Sequence, residues 1–80
     1  RIQFDESCEL VPNNVTFKTG TTIMLDNRAA KATPITLDST RYNIGAQDYI
    51  IVTLSNATLP HTISVDCGTG KNNGQIFLQK

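Results

Sequence analysis

The stretch TISVDC-GTGKNN-GQIFL, residues 62–78, decides how this chain folds. Its first part alternates polar and apolar side chains, so that residues 61, 63, 65 and 67 share one face of an extended strand. A polar loop follows, and Gly74 then opens a second apolar strand. This pattern is typical of an antiparallel strand pair with one buried face, joined by a hairpin loop.

The rest of the chain repeats short extended segments separated by turn residues. We expect further strands over residues 1–4, 8–11, 15–18, 21–25, 33–37, 42–46 and 49–54. The run 49–54 (YIIVTL) is the most apolar, which predicts a central strand covered on both faces. Residues 26–31 are too few for a stable helix and are expected to form a loop. The pattern predicts one all-β domain over residues 1–80, a small Greek-key β-sandwich of about seven to eight strands.

Size and charge limit the classes of function. An 80-residue chain buries a small core, so an additional constraint on the fold is expected. Seven basic and seven acidic residues give zero net charge, which provides no electrostatic surface for nucleic acid or an anionic membrane. No run approaches the roughly 18 apolar residues of a membrane span.

The two cysteines, Cys8 and Cys67, lack the Cys-x-x-Cys spacing of a zinc ribbon or a thioredoxin-type motif. A single disulfide is the simplest interpretation, with a free buried thiol or a metal thiolate as the alternatives. A disulfide would indicate an extracellular or cell-surface location, or the periplasm. Asn14 and Asn56 each begin an Asn-x-Thr sequence, which makes both candidates for N-glycosylation.

Enzyme signatures are not apparent. With one histidine and no Gly-x-Ser-x-Gly motif, a nucleophilic triad is not expected. The glycine-rich residues 68–74 lack the Gly-Lys-Ser/Thr order of a phosphate loop and predict a flexible hairpin loop instead. Tyr42 and Tyr49 could stack on a ligand, although a core or edge position is the commoner role. We therefore predict a protein that is not an enzyme.

Three parts of the sequence follow the strand, turn and cysteine-loop order of one known family. Residues 10–27 (LVPNNVTFKTGTTIMLDN) contain a proline, a strand, a glycine turn, a second strand and an asparagine in that order. This order resembles the cupredoxins, which have the plastocyanin/azurin-type fold, and their plastocyanin-like members most. Asp48-Tyr49 resembles the start of the penultimate strand region, and Cys67 with Gly74-Gln75-Ile76 resembles the cysteine loop and closing strand. The resemblance implies a cupredoxin-like fold with Cys67 at the position of the copper cysteine.

The copper site that the resemblance implies is degenerate. Blue-copper sites require two imidazoles and a thiolate. Residues 27–34 and 68–73, which match the family's ligand-bearing segments, contain no histidine, and Met24 lies within a strand. His61 belongs to the same predicted strand as Cys67, about 20 Å away at ~3.3 Å per residue, too far to share a metal.

The resemblance also places Cys8 at the same end of the sandwich as Cys67, so a disulfide there would take the place of the metal. We therefore predict no cofactor, with copper bound through Cys67 as the alternative. The predicted function is a structural or interaction module, such as a self-assembling extracellular surface or filament subunit. Residues 1–7 are a candidate edge or exchanged strand, with Ile2 and Phe4 contacting the next copy. The partner would be a second copy or another extracellular protein, and not a nucleic acid; the alternative function is a copper-binding electron carrier or copper chaperone.

Overall fold

The structure, a computed structural model, describes residues 1–80 and contains eight β-strands and no helix. The strands are β1 Ile2–Phe4, β2 Asn14–Lys18, β3 Thr22–Asn27, β4 Thr33–Leu37, β5 Thr40–Ile44, β6 Tyr49–Thr53, β7 His61–Cys67 and β8 Gly74–Gln79. The predicted all-β class is confirmed. The structure therefore has no helix that is long and apolar enough to cross a membrane.

The strands form two sheets that pack face to face. The smaller sheet has the order β1-β3-β6 and the larger the order β2-β8-β7-β4-β5. Parallel pairing occurs between β1 and β3 and between β2 and β8, whereas the other neighbours are antiparallel. Neighbouring strands are often far apart in sequence, so the chain crosses between the sheets repeatedly. This arrangement is the predicted Greek-key β-sandwich.

The β7–β8 pair lies inside the larger sheet, in the register that the alternation predicts. Ile63 stands opposite Ile76, and Val65 stands opposite Gly74. The inward side chains of both strands are buried except that of His61, which is half-buried, and the outward ones are partly or fully exposed. A methyl group at Gly74 would lie 2.6 Å from Leu10 Cδ1 and 3.0 Å from the Asn13 carbonyl oxygen, so only glycine lets the preceding segment pack this closely.

Inward side chains from both sheets form one apolar core. Fifteen buried residues contribute to it, from seven of the strands and from the segments beside them. The predicted inward residues Val15 and Phe17 of β2 are half-buried and pack against its rim. Ile2 and Phe4 are each only 2% exposed, so β1 fills the core of its own chain.

Two predictions about individual strands are wrong. Residues 49–54 are not covered on both faces, because β6 is an edge strand on which Tyr49 and Ile51 are 52% and 55% exposed. An apolar, β-branched run favours a strand but does not determine its neighbours. Residues 8–11 do not form a strand: Cys8 adopts a φ of 57° and its N–H donates to the Asp5 carbonyl, which turns the chain before it can extend.

Candidate functional site

The predicted disulfide bond joins Cys8 and Cys67 at one end of the sandwich. The two sulfurs are 2.05 Å apart, and the Cα atoms are 5.6 Å apart. Cys67 ends β7 and is 1% exposed, whereas Cys8 lies in the loop that follows β1. The bond therefore links the loop after β1, a strand of the smaller sheet, to β7, a central strand of the larger sheet. It leaves no free thiol in the chain.

The loop between β7 and β8 is held against the disulfide by asparagine side chains. Asn73 Oδ1 accepts a hydrogen bond from the Cys67 N–H at 2.9 Å, and its Nδ2 donates to the Cys8 carbonyl at 3.4 Å. The Asn72 N–H donates to Asp66 Oδ1 at 2.7 Å. Asn73 thus bridges the two halves of the disulfide, so the predicted hairpin loop is fixed by side-chain hydrogen bonds.

Gly68 completes this loop where the backbone passes over the sulfurs. Its φ of 62° lies in the left-handed region, and a Cβ atom there would stand 3.5 Å from Cys8 Sγ. Its N–H donates to the Pro34 carbonyl at 2.9 Å, which joins the loop to β4. The left-handed turn therefore favours glycine, whereas the 3.5 Å distance to the sulfur is an ordinary van der Waals contact.

A cavity of about 520 Å³ lies beside the disulfide. Both cysteines line it, together with Glu6 and Lys31 on its rim and several small polar residues. Glu6 is engaged through its Oε1, which accepts from the Ala30 N–H at 2.8 Å. Ser7, another lining residue, donates its hydroxyl to Asp5 Oδ1 at 2.6 Å. The chain's single imidazole, His61, is not among the residues that line this cavity.

His61 lies at the opposite end of β7 from Cys67 and pairs with an aspartate. Its Nε2 is 2.8 Å from Asp38 Oδ2, and Asp38 Oδ1 accepts from the Ser64 N–H at 3.0 Å. Partial burial works to raise the pKa of Asp38, but the hydrogen bonds from His61 and Ser64 outweigh it, and the pKa lies below its ordinary value. The imidazole is thus engaged in a surface hydrogen bond with a carboxylate, at the end of β7 that lies away from Cys67.

These donors do not fit a blue-copper centre. The sulfur of Cys67 is bonded to a second sulfur and is not a thiolate, and the chain's single imidazole lies at the far end of the same strand. No cluster of three or more histidine, cysteine, aspartate or glutamate side chains has the geometry to hold a metal ion. The chemistry of the donor set, two disulfide sulfurs and one remote imidazole, is unsuited to copper.

Asn27, the asparagine that closes the family-like stretch 10–27, is a buried residue to which the sequence analysis assigned no role. It is 0% exposed, and its Nδ2 lies 3.0 Å from three carbonyl oxygens, those of Lys31, Ile44 and Gly45. Its Oδ1 accepts from the Ala29 N–H at 2.9 Å. The amide therefore joins the loop after β3 to the end of β5. Its position as the asparagine at the end of β3 was the one signal available for this role.

The remaining predicted site residues are dispersed over the surface. Asn14 is exposed at the start of β2, and Asn56 is half-buried, with its Oδ1 accepting from the Thr58 N–H at 2.9 Å. Tyr42 is half-buried against the core, and Tyr49 is exposed. None of these residues lies beside the disulfide, so they do not form one site with it.

Comparison with solved structures identifies the fold. No protein-family model and no curated protein sequence matches the chain. Among solved structures, a mutant fern plastocyanin is 12% identical, covers 98% of both chains and has a TM-score of 0.71. A purple cupredoxin from Nitrosopumilus maritimus is 11% identical, with a TM-score of 0.70, and the match covers 99% of this chain and 100% of that one. An amicyanin variant solved in the Cu(I) form is 14% identical, with coverage of 98% and 81% and a TM-score of 0.69. With two sheets in this order and near-complete overlap with three such structures, the chain has the cupredoxin-like fold.

Proposed function

We propose that this chain is a non-enzymatic structural or interaction module that binds no metal and is stabilised by its disulfide. The observation that carries this proposal is the bond between Cys8 and Cys67, which takes up the sulfur that the family resemblance assigns to copper. The sulfur of a disulfide cannot supply the anionic charge of a thiolate ligand. The chain thus combines the cupredoxin-like fold with a stabilising disulfide at the position that the resemblance assigns to the copper cysteine.

The same bond supports a location in an oxidising compartment. Disulfides persist at the cell surface, outside the cell and in the periplasm, and are rare in the cytosol. A small domain gains most from such a constraint, because its core alone is marginal. Asn14 and Asn56, which each begin an Asn-x-Thr sequence, are the proposed N-glycosylation sites, and a mass increase removed by glycosidase treatment would reveal the sugars.

Exposed apolar side chains support an interaction role. Val11, Tyr49, Ile51 and Phe77 are 60%, 52%, 55% and 39% exposed. In one form of this proposal the chain is a subunit of an extracellular surface layer or filament, in which residues 1–7 are exchanged between copies. Ile2 and Phe4 are core residues here, so the exchange would have to move β1 from its own core into that of the next copy. Deletion of residues 1–7 is expected to abolish assembly in that form, and unchanged assembly would contradict it.

Copper titration tests the metal-free proposal directly. Cu(II) is added to the oxidised protein and to a Cys8→Ala variant, in which Cys67 is a free thiol. A Cys8→Ala/Cys67→Ala variant is the matched control. We expect no intense visible absorption from any of the three, because a thiolate-to-copper charge-transfer band needs a thiolate held with further ligands. An intense band in the oxidised protein would overturn the proposal.

A second candidate function is copper-based electron transfer, which is favoured by the fold shared with a plastocyanin and an amicyanin. It requires the disulfide to open and imidazole ligands to come from another chain or from a rearranged loop. An intense visible band in the Cys8→Ala variant that is absent from the double variant would support this second candidate.

A further inference from the structure

The backbone of β6 presents an unpaired edge. The β3–β6 register places Met24 opposite Ile51, and at the ends the Asn27 N–H donates to the Asp48 carbonyl and the Leu54 N–H to the Thr21 carbonyl, each at 2.8 Å. Hydrogen-bonded and non-bonded pairs alternate along an antiparallel ladder, so the even-numbered residues of β6 bond to β3. The backbone groups of Tyr49, Ile51 and Thr53 consequently point away from β3.

Nearly all the outward backbone groups of β6 lack a hydrogen-bond partner. The Tyr49 N–H is engaged by Asp48 Oδ1 at 2.8 Å. The N–H groups of Ile51 and Thr53, and the carbonyl groups of all three odd-numbered residues, face outward with no β-strand beside them. The side chains of these three residues are also exposed. The edge therefore combines unpaired backbone groups with an apolar outer face.

The other sheet edges are protected in ways that β6 is not. The outer side of β1 is occupied by Val11, which exchanges hydrogen bonds of 3.0 and 2.9 Å with Gln3. The edge strand β2 ends in the exposed Lys18, and the edge strand β5 carries the exposed Arg41. Natural sheets use charges and short or covered strands to prevent edge pairing. The sequence of β6, YIIVT, contains no charge and no proline.

We propose that two copies of this chain associate through antiparallel pairing of their β6 strands, about a two-fold axis at Ile51. In this register Ile51 faces Ile51 of the second copy, and Tyr49 faces Thr53 of the second copy. The Ile51 pair exchanges two N–H to carbonyl bonds, and each Thr53 N–H donates to a Tyr49 carbonyl, about four hydrogen bonds in all. The two three-stranded sheets become one six-stranded sheet.

A second copy is the occupant that the charge pattern favours. At a two-fold axis each side chain near the centre meets itself, so a charged residue there would face a like charge. The centre of β6 is uncharged, and the two carboxylates beside it are engaged: Asp26 is paired with Arg1 and Arg28 at 3.6 and 3.9 Å. Asp48 Oδ1 accepts from the Tyr49 N–H. Met24 adjoins Ile51, so pairing extends an apolar row across four strands. Zero net charge adds no long-range repulsion between copies.

The proposal supplies a partner for the interaction module proposed above and rests on that function. Two five-residue strands bury less surface than the roughly 1,600 Å² of a standard interface, so we expect a weak, concentration-dependent dimer. Sedimentation equilibrium of the full chain across a concentration series, up to the order of 1 mM, measures it. The assay reports mass and not copper, so its failure would leave the metal-free proposal to be decided by the titration.

A charged side chain at the two-fold axis tests the interface itself. Ile51→Lys places like charges at the axis on an exposed position and is expected to give a monomer with an unchanged circular dichroism spectrum. Phe77→Lys, an equivalent change on the other sheet, is expected to leave the dimer intact. A dimer that persists in Ile51→Lys, or a wild-type protein that remains monomeric throughout the series, would overturn the proposal.

The register has its own test. Directly opposed Cα atoms in a hydrogen-bonded pair are about 5.5 Å apart, within disulfide range. Oxidised Ile51→Cys is therefore expected to form a covalent dimer. Thr53→Cys is the matched control on the same edge, since its two copies would be about 14 Å apart along the strand direction. Equal cross-linking of the two variants would contradict pairing centred on Ile51.

Discussion

Opening the Cys8–Cys67 bond should remove a large share of the stability of the fold. The bond closes a loop with a sequence separation of 59, and the entropy that this removes from the unfolded chain corresponds to about 4 kcal/mol at 25 °C. An 80-residue domain typically has a total unfolding free energy of about 4–12 kcal/mol. The reduced protein is therefore expected to be close to the limit of stable folding.

Urea unfolding followed by far-ultraviolet circular dichroism measures this effect with both sulfurs retained. The oxidised protein is compared with the same protein in reductant, so no cavity is created. The Cys8→Ala/Cys67→Ala variant is the control, because reductant should leave its unfolding curve unchanged. The unfolding free energy of this double variant should lie below that of the reduced wild-type protein by up to about 1 kcal/mol, because the variant lacks the buried Cys67 sulfur. A difference between oxidised and reduced protein of less than about 1 kcal/mol would refute the loop-closure reasoning.

Two further predictions concern polar side chains. Asn27→Ala should destabilise the fold by about 3–5 kcal/mol, because it removes the buried hydrogen bonds to the Ala29 N–H and the Ile44 carbonyl and two part-buried ones. The exposed Asn43→Ala should change stability by less than about 0.5 kcal/mol. The folded-state pKa of Asp38 lies below its ordinary value of 3.8, so its carboxylate contributes stability above pH 3.8, and the contribution is lost as the pH falls through the folded-state pKa. Asp38→Asn should therefore be slightly less stable than the wild type at neutral pH, by about 0.5 kcal/mol or less for this surface pair, and equally stable well below pH 3.8.

Unfolding free energies in urea decide both predictions. Equal losses from Asn27→Ala and Asn43→Ala would show that the buried amide network contributes little. For Asp38, a series of unfolding curves from neutral to acidic pH is required. A wild-type advantage that grows as the pH falls below 3.8 would contradict the direction of the pKa shift.

The features that depend on local alternation could be predicted from the sequence. Ile63, Val65 and Cys67 are buried on one face of β7 because a strand with one side against the core must place every second side chain inward. The pairing of Cys8 with Cys67 could also be predicted, since the chain has no third cysteine to compete. The alternation of β7 was sufficient to predict the fold class, and the two cysteines were sufficient to predict the position of the disulfide.

The features that depend on distant neighbours could not be predicted. The apolar run at β6 was expected at the centre of a sheet, yet no strand lies beyond it, and the identity of Ile51 carries no information about that. The roles of Asn27 and Asn73 likewise arise only where separate loops meet, at the carbonyls of Ile44 and Cys8. Each is a polar residue whose burial is decided by tertiary contacts.

The central claim, a cupredoxin-like domain in which a disulfide replaces the metal thiolate, is tested most directly by the native mass of the protein as purified from its source. We predict a mass two hydrogens below that of the reduced chain, apart from any removable glycan, with no copper bound. A species with two free thiols and one copper ion would contradict the account.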